Sequence, residues 1–164
     1  MTKEKYIKKF LDLEEELDKD NLNGRLYIRV KHAKGLYKIS KEKLSNPYCK
    51  ITLPSVSDMV TSKLKNTCNP IWDYSHDVKI QLNRANAKNI LFTIKNDQFL
   101  SDSTLGFTSL DWLPCTEKLT RGKWFINDEF DLEQDPKKAE KKKKKYNVLD
   151  FGKIYVALKF VKDG

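Results

Sequence analysis

Nine residues, KKAEKKKKK from Lys137 to Lys145, carry seven ammonium groups, a density that could hold the phosphates or carboxylates of an anionic surface. Lys38, Lys41 and Lys43 form a second, sparser basic cluster. Between these clusters lies NDQFLSD (Asn96 to Asp102), which sets Phe99 and Leu100 between two aspartates. Carboxylates suit a hard cation, whereas an apolar pair suits lipid or the apolar part of a protein surface. Signals for bond-making chemistry are weak by comparison. His32 and His76 fall in segments of strand-like alternation without metal-ligand spacing, and Asp73 and Asp111 each adjoin a tryptophan without a second group to pair with. The chain has no G-x-S-x-G, no phosphate-binding glycine loop and no H-E-x-x-H. A non-catalytic protein with no cofactor is the expectation.

The elements that would position these groups can be read from periodicity. From residue 2 to about 20, Tyr6, Phe10, Leu13 and Leu17 recur at helical spacing, and Ile7 and Leu11 widen the stripe. This predicts an amphipathic helix with Thr2 as N-cap and Asn21 to Gly24 as its stop. Two heptads are too few for a stable isolated helix, so the stripe must be buried against its own domain or a partner. After Gly24 the period becomes two, with Leu26, Ile28 and Val30 alternating with Tyr27, Arg29 and Lys31. Further strands are expected at about 47–53, 59–66, 72–80, 89–96, 104–110, 123–132 and 152–161. Eight short strands separated by turns predict an all-β fold, an eight-stranded antiparallel β-sandwich preceded by one helix. The expected division is a docking helix and linker at 1–23 and a sandwich at 24–164, with a lysine-rich loop insertion at about 133–148.

Composition bounds the remaining choices. The net charge of +9 and pI near 9.3 favour anionic partners, but 28 lysines against 4 arginines supply few of the bidentate forks that recognition surfaces use. Nucleic acid is disfavoured, because aromatic residues are not interleaved with the lysine run as a stacking platform needs. Cys49, Cys68 and Cys115 are odd in number and widely spaced, which predicts neither a disulfide framework nor a zinc site and fits a reducing intracellular compartment. The first twenty residues lack an apolar core and carry seven acidic side chains, unlike a secretory signal or an ordinary cleaved mitochondrial presequence. A cytoplasmic or organellar setting, mitochondrial included, at or near a membrane surface is expected.

Three segments, SNPYCKITL (Ser45 to Leu53), TCNPIWD (Thr67 to Asp73) and IKNDQFLSDSTLG (Ile94 to Gly106), stand between GRLYIRVKHAKGL (Gly24 to Leu36) and GKIYVALKF (Gly152 to Phe160). In order and spacing they resemble the C2 domain, and starting on the L-x-I-x-V strand resembles the phospholipase-type strand order. Members of that family that bind calcium use about five acidic side chains on two loops. The resemblance carries those places onto Ser40, Asn46, Lys95, Asp97 and Ser103, with Asp102 one residue from the last. Calcium requires about six to eight oxygen ligands. One aligned carboxylate does not supply them, and Lys95 sets an ammonium against the ion, with an ion pair to Asp97 as the expected substitute.

With strands alternating in direction, the loops after the first, third, fifth and seventh strands share one end of the sandwich. That end gathers Lys38, Lys41, Lys43, Phe99, Leu100 and the run containing Lys141, Lys142, Lys143, Lys144 and Lys145. The resulting expectation is a calcium-independent C2 module, serving as an adaptor or structural subunit among other protein subunits of a larger assembly. The alternative is a constitutive peripheral binder of anionic lipid head groups.

Overall fold

Alternation along the chain becomes the two faces of strands. In the computed structural model, which describes Glu4 and residues 23–40, 42–54, 56–81, 89–111 and 124–162, eight strands and one helix follow in order. They are β1 (Asn23–Lys34), β2 (Pro47–Thr52), β3 (Met59–Val60), β4 (Ile71–Gln81), β5 (Asn89–Asn96), β6 (Ser103–Asp111), β7 (Trp124–Asp131), α1 (Pro136–Tyr146) and β8 (Lys153–Lys162). Two four-stranded antiparallel sheets result, ordered β4-β1-β8-β7 and β3-β2-β5-β6. This is the expected β-sandwich. The six-residue stripe Tyr6, Ile7, Phe10, Leu11, Leu13 and Leu17, and Lys41, lie outside the described residues.

The first and last strands pair along their whole length, from Gly24 opposite Lys162 to Lys34 opposite Lys153. β1 and β8 therefore form the interior of one sheet, between β4 and β7. Leu26, Ile28 and Val30 of β1, with Ile154, Val156, Leu158 and Phe160 of β8, face Cys49, Ile51, Ile90, Phe92, Ile94 and Leu105 of the other sheet, and all of these are buried. Each large apolar side chain among them contributes about 1.5–3 kcal/mol by leaving water. Burial also pushes the Cys49 thiol well above its usual range, so it stays protonated as core packing.

Two expectations need correction. The third strand is much shorter than 59–66, because only Met59 and Val60 pair in the ladder with β2. Beyond them the Thr61 side chain accepts the Cys49 N–H at 2.9 Å, and the chain then follows β2 through isolated bonds such as Leu64 N–H to the Pro47 carbonyl at 3.1 Å. A side chain has displaced the regular ladder.

The second correction concerns 133–148, which is no open loop but contains α1. Asp135 caps the helix by accepting the Lys137 N–H at 3.0 Å, Pro136 fills the first turn, and Asn147 ends it at a left-handed φ of 53°. Lys143, Lys144 and Lys145 lie in its last turn, where the helix dipole favours cations. Like-charge repulsion along the helix is offset by docking, since Ala139, Tyr146 and Val148 pack against the core.

Candidate interaction site at one end of the sandwich

Asn46 holds this end together. Its backbone N–H donates to Asn96 Oδ1 at 2.7 Å, its carbonyl accepts the Asp97 N–H at 2.9 Å, and its side-chain Oδ1 accepts the Asn66 N–H at 2.7 Å. Its Nδ2 also donates to the Asp97 carbonyl at 3.4 Å. One residue of the β1–β2 loop thus ties the loops before β4 and after β5. Asn46→Ala removes two side-chain bonds and leaves the Asn66 N–H without its acceptor. We expect a loss of about 1–3 kcal/mol in urea unfolding, and an unchanged midpoint would show that solvent replaces these bonds freely.

The remaining places carried over from the resemblance serve local geometry. Ser40 Oγ accepts the Lys43 N–H at 3.0 Å, closing a turn. Ser103 begins β6 opposite Asn96, and Lys95 stands in β5 opposite Thr104 and Tyr48. Asp97 meets the ammonium of Lys63 at 3.3 Å, so the ion pair expected with Lys95 is formed with Lys63 instead. Lys63 reaches it from the irregular segment after β3, where a regular strand would have set its own direction.

Asp102 closes the β5–β6 loop. Its carboxylate accepts the Tyr48 hydroxyl and, at 3.1 Å, the Gln98 N–H. Those two bonds, with Lys63 and Lys95 nearby, hold the Asp102 carboxyl below the usual carboxylate range. Tyr48 is pushed up to about 12 by burial and then by its bond to Asp102. The Asn46 amide oxygen already takes a backbone donor, Asp97 faces an ammonium, and no cluster of three or more His, Cys, Asp or Glu side chains suited to a metal occurs among the described residues.

Above this closed base, Phe99 is 100% exposed and Leu100 91% exposed. Lys38 and Lys43 are exposed on the β1–β2 loop, and Lys141, Lys144 and Lys145 are exposed on α1. Lys142 and Lys143 are half-buried, which removes them from the outward set. The Lys142 ammonium donates to the Thr104 carbonyl at 2.8 Å and lies 6.0 Å from the Tyr37 ring centroid. Burial, with Lys138 and Lys145 alongside, lowers its pKa. It fastens α1 to the start of β6. Lys138 and Lys142 also overlook a groove of about 640 Å³ lined by Thr93 and Phe107.

Tyr37 is a structural residue that sequence reading missed. Its hydroxyl donates to the Thr104 carbonyl at 3.2 Å, and its ring lies 4.8 Å from Tyr146 and 5.9 Å from Phe151. Burial pushes its pKa up to about 12. Only its neighbour Leu36 belongs to a recognisable pattern, so no periodicity announces Tyr37.

Comparison with known proteins matches the fold. The C2 domain family matches residues 24–126. A single C2 domain of a plant extended synaptotagmin 1 superposes with a TM-score of 0.64 at 18% identity, over 86% of this chain and 96% of that one. Human GIVD cytosolic phospholipase A2 gives 0.63 at 18% identity, over 88% of this chain but 17% of the enzyme's. A chain holding two C2 domains of extended synaptotagmin 2 gives 0.62 at 16%, over 83% of this chain and 40% of that one. No curated protein matches in sequence. At these identities the likeness to solved structures is one of fold.

Proposed function

Since the chain belongs to the C2 domain family, whose fold serves membrane or protein interaction, we propose that it docks on anionic membrane surfaces constitutively, without calcium, as a non-catalytic anchoring module. The observation that carries this reading is the complete exposure of Phe99, beside Leu100, on a loop whose base its own side chains close. In a calcium-dependent member a metal would order the loops. Here Asn46, Asp102 and the Lys63–Asp97 pair supply that order, so the tip is ready to insert at any calcium concentration.

Magnitudes support a reversible contact. Inserting one large apolar side chain is worth about 1.5–3 kcal/mol, and each lysine near an anionic surface about 1 kcal/mol. Phe99, Leu100, Lys38, Lys43, Lys141, Lys144 and Lys145 together supply about 8–11 kcal/mol, which an immobilisation cost of about 4 kcal/mol reduces to a weak, reversible affinity between about 10 µM and 1 mM.

Sedimentation with vesicles containing phosphatidylserine, in calcium and in chelator, tests the reading. Equal binding in both, absent on neutral vesicles and weakened by salt, is the expected outcome. Binding that requires calcium would overturn it. No binding to any vesicle would favour the adaptor role among other protein subunits, with the exposed tip meeting an apolar protein surface.

A further inference from the structure

The turn after α1 carries an apolar side chain as open to solvent as those of the Phe99 loop. Leu149 is 92% exposed, although its neighbours are firmly held. Val148 and Phe151 pack on the core, and the Val148 N–H donates to the Lys143 carbonyl at 3.1 Å. Asp150 Oδ1 accepts the Gly152 N–H at 3.0 Å, and the Gly152 carbonyl accepts the Leu132 N–H at 2.9 Å. A turn so tightly fixed on both sides could have buried or avoided a leucine. It presents one.

The bases of the two tips are joined through one residue. Tyr37 donates to Thr104, two residues after Asp102 closes the Phe99 loop, and packs on Phe151, two residues after Leu149. Both turns lie at the β1–β2 end of the sandwich, where β8 begins opposite Lys34. Ile71 is also exposed, at 69%, but it lies within β4 rather than on a turn. The exposed lysines Lys144 and Lys145, in the last turn of α1, precede Leu149 by five and four residues, and the exposed Asp150 follows it.

We infer that Leu149 is a second membrane-inserting residue, and that this domain sits on an anionic bilayer through two tips rather than one. The lysine-rich last turn of α1 that leads into this turn decides the occupant, because an apolar side chain that follows a run of ammonium groups fits the boundary between acyl chains and anionic head groups. Two contacts fix the tilt of the sandwich on the membrane, which a single tip leaves free. The inference rests on the membrane-docking reading above.

The test uses phosphatidylserine vesicles and the full chain. Leu149→Ala should weaken binding about tenfold, with an unchanged melting temperature because the side chain is exposed. Leu149→Trp should bind more tightly than wild type, since tryptophan favours the membrane interface. A loss from Leu149→Ala that multiplies with that from Phe99→Ala would show that both tips are engaged together. Wild-type binding with both Leu149 variants unchanged overturns this inference alone. Absence of binding by the wild type overturns it together with the reading it rests on.

Discussion

Replacing Phe99 and Leu100 together by serine is expected to weaken binding to anionic vesicles by about a hundredfold, the equivalent of about 3 kcal/mol. Each side chain gives only the lower part of its full burial energy, because interfacial insertion leaves part of its surface near water. The two residues are 100% and 91% exposed, so the substitution removes no contact within the fold. Thermal stability should therefore stay within about 0.5 kcal/mol of wild type, as for other surface changes. A salt series separates this apolar contribution from the ionic one. Affinity lost by neutralising Lys141, Lys144 and Lys145 should shrink as salt rises, whereas affinity lost with Phe99 and Leu100 should not. If the double variant binds as wild type does at high salt, the apolar tip takes no part in docking.

The sandwich is largely legible in the sequence because buried strands impose a period of two that survives any particular contact. β5 coincides with its expected bounds of 89–96, β2, β4, β6, β7 and β8 differ by a residue at their ends, and β1 extends the alternation of Leu26 to Lys31 by three residues at each end. The helix α1 reads as a loop for an equally physical reason. A lysine run shows no apolar stripe of the usual width, and the docking side chains of the helix are reduced to Ala139 and Tyr146, seven residues apart. Its start and stop signals stand in the chain nonetheless as Asp135, Pro136 and Asn147. At the five aligned calcium places, residue identity tells which carboxylates are missing but not what replaces them. That Asn46 bridges neighbouring loops, and that Lys63 rather than Lys95 reaches Asp97, depends on loop geometry that no local spacing encodes.

Gly152→Ala should cost about 3 kcal/mol or more of folding stability, read as a lowered midpoint in urea unfolding. Gly152 has φ +89°, and a Cβ placed there would run into the Lys34 carbonyl oxygen and lie 2.8 Å from that of Gly35. Neither oxygen is free to retreat, because Lys34 pairs with Lys153 at the junction of the first and last strands and the Leu36 N–H, on the Gly35–Leu36 peptide, is held by the Cys68 carbonyl at 3.0 Å. Gly35 provides the control. It also has a positive φ, +69°, but the nearest atom to its added Cβ is the Gly152 Cα at 3.6 Å, an ordinary contact. Gly35→Ala should therefore show only the left-handed backbone penalty, about 1 kcal/mol. A larger loss at 152 than at 35 would assign the difference to the close approach of the two backbones. That approach sets the turn bearing Leu149 against the end of β1, so the crossing that fixes the fold also fixes the height of the second tip. Equal losses at the two glycines would mean that the strand ends relax apart, and the tip would then owe its position to Tyr37 and Phe151 alone.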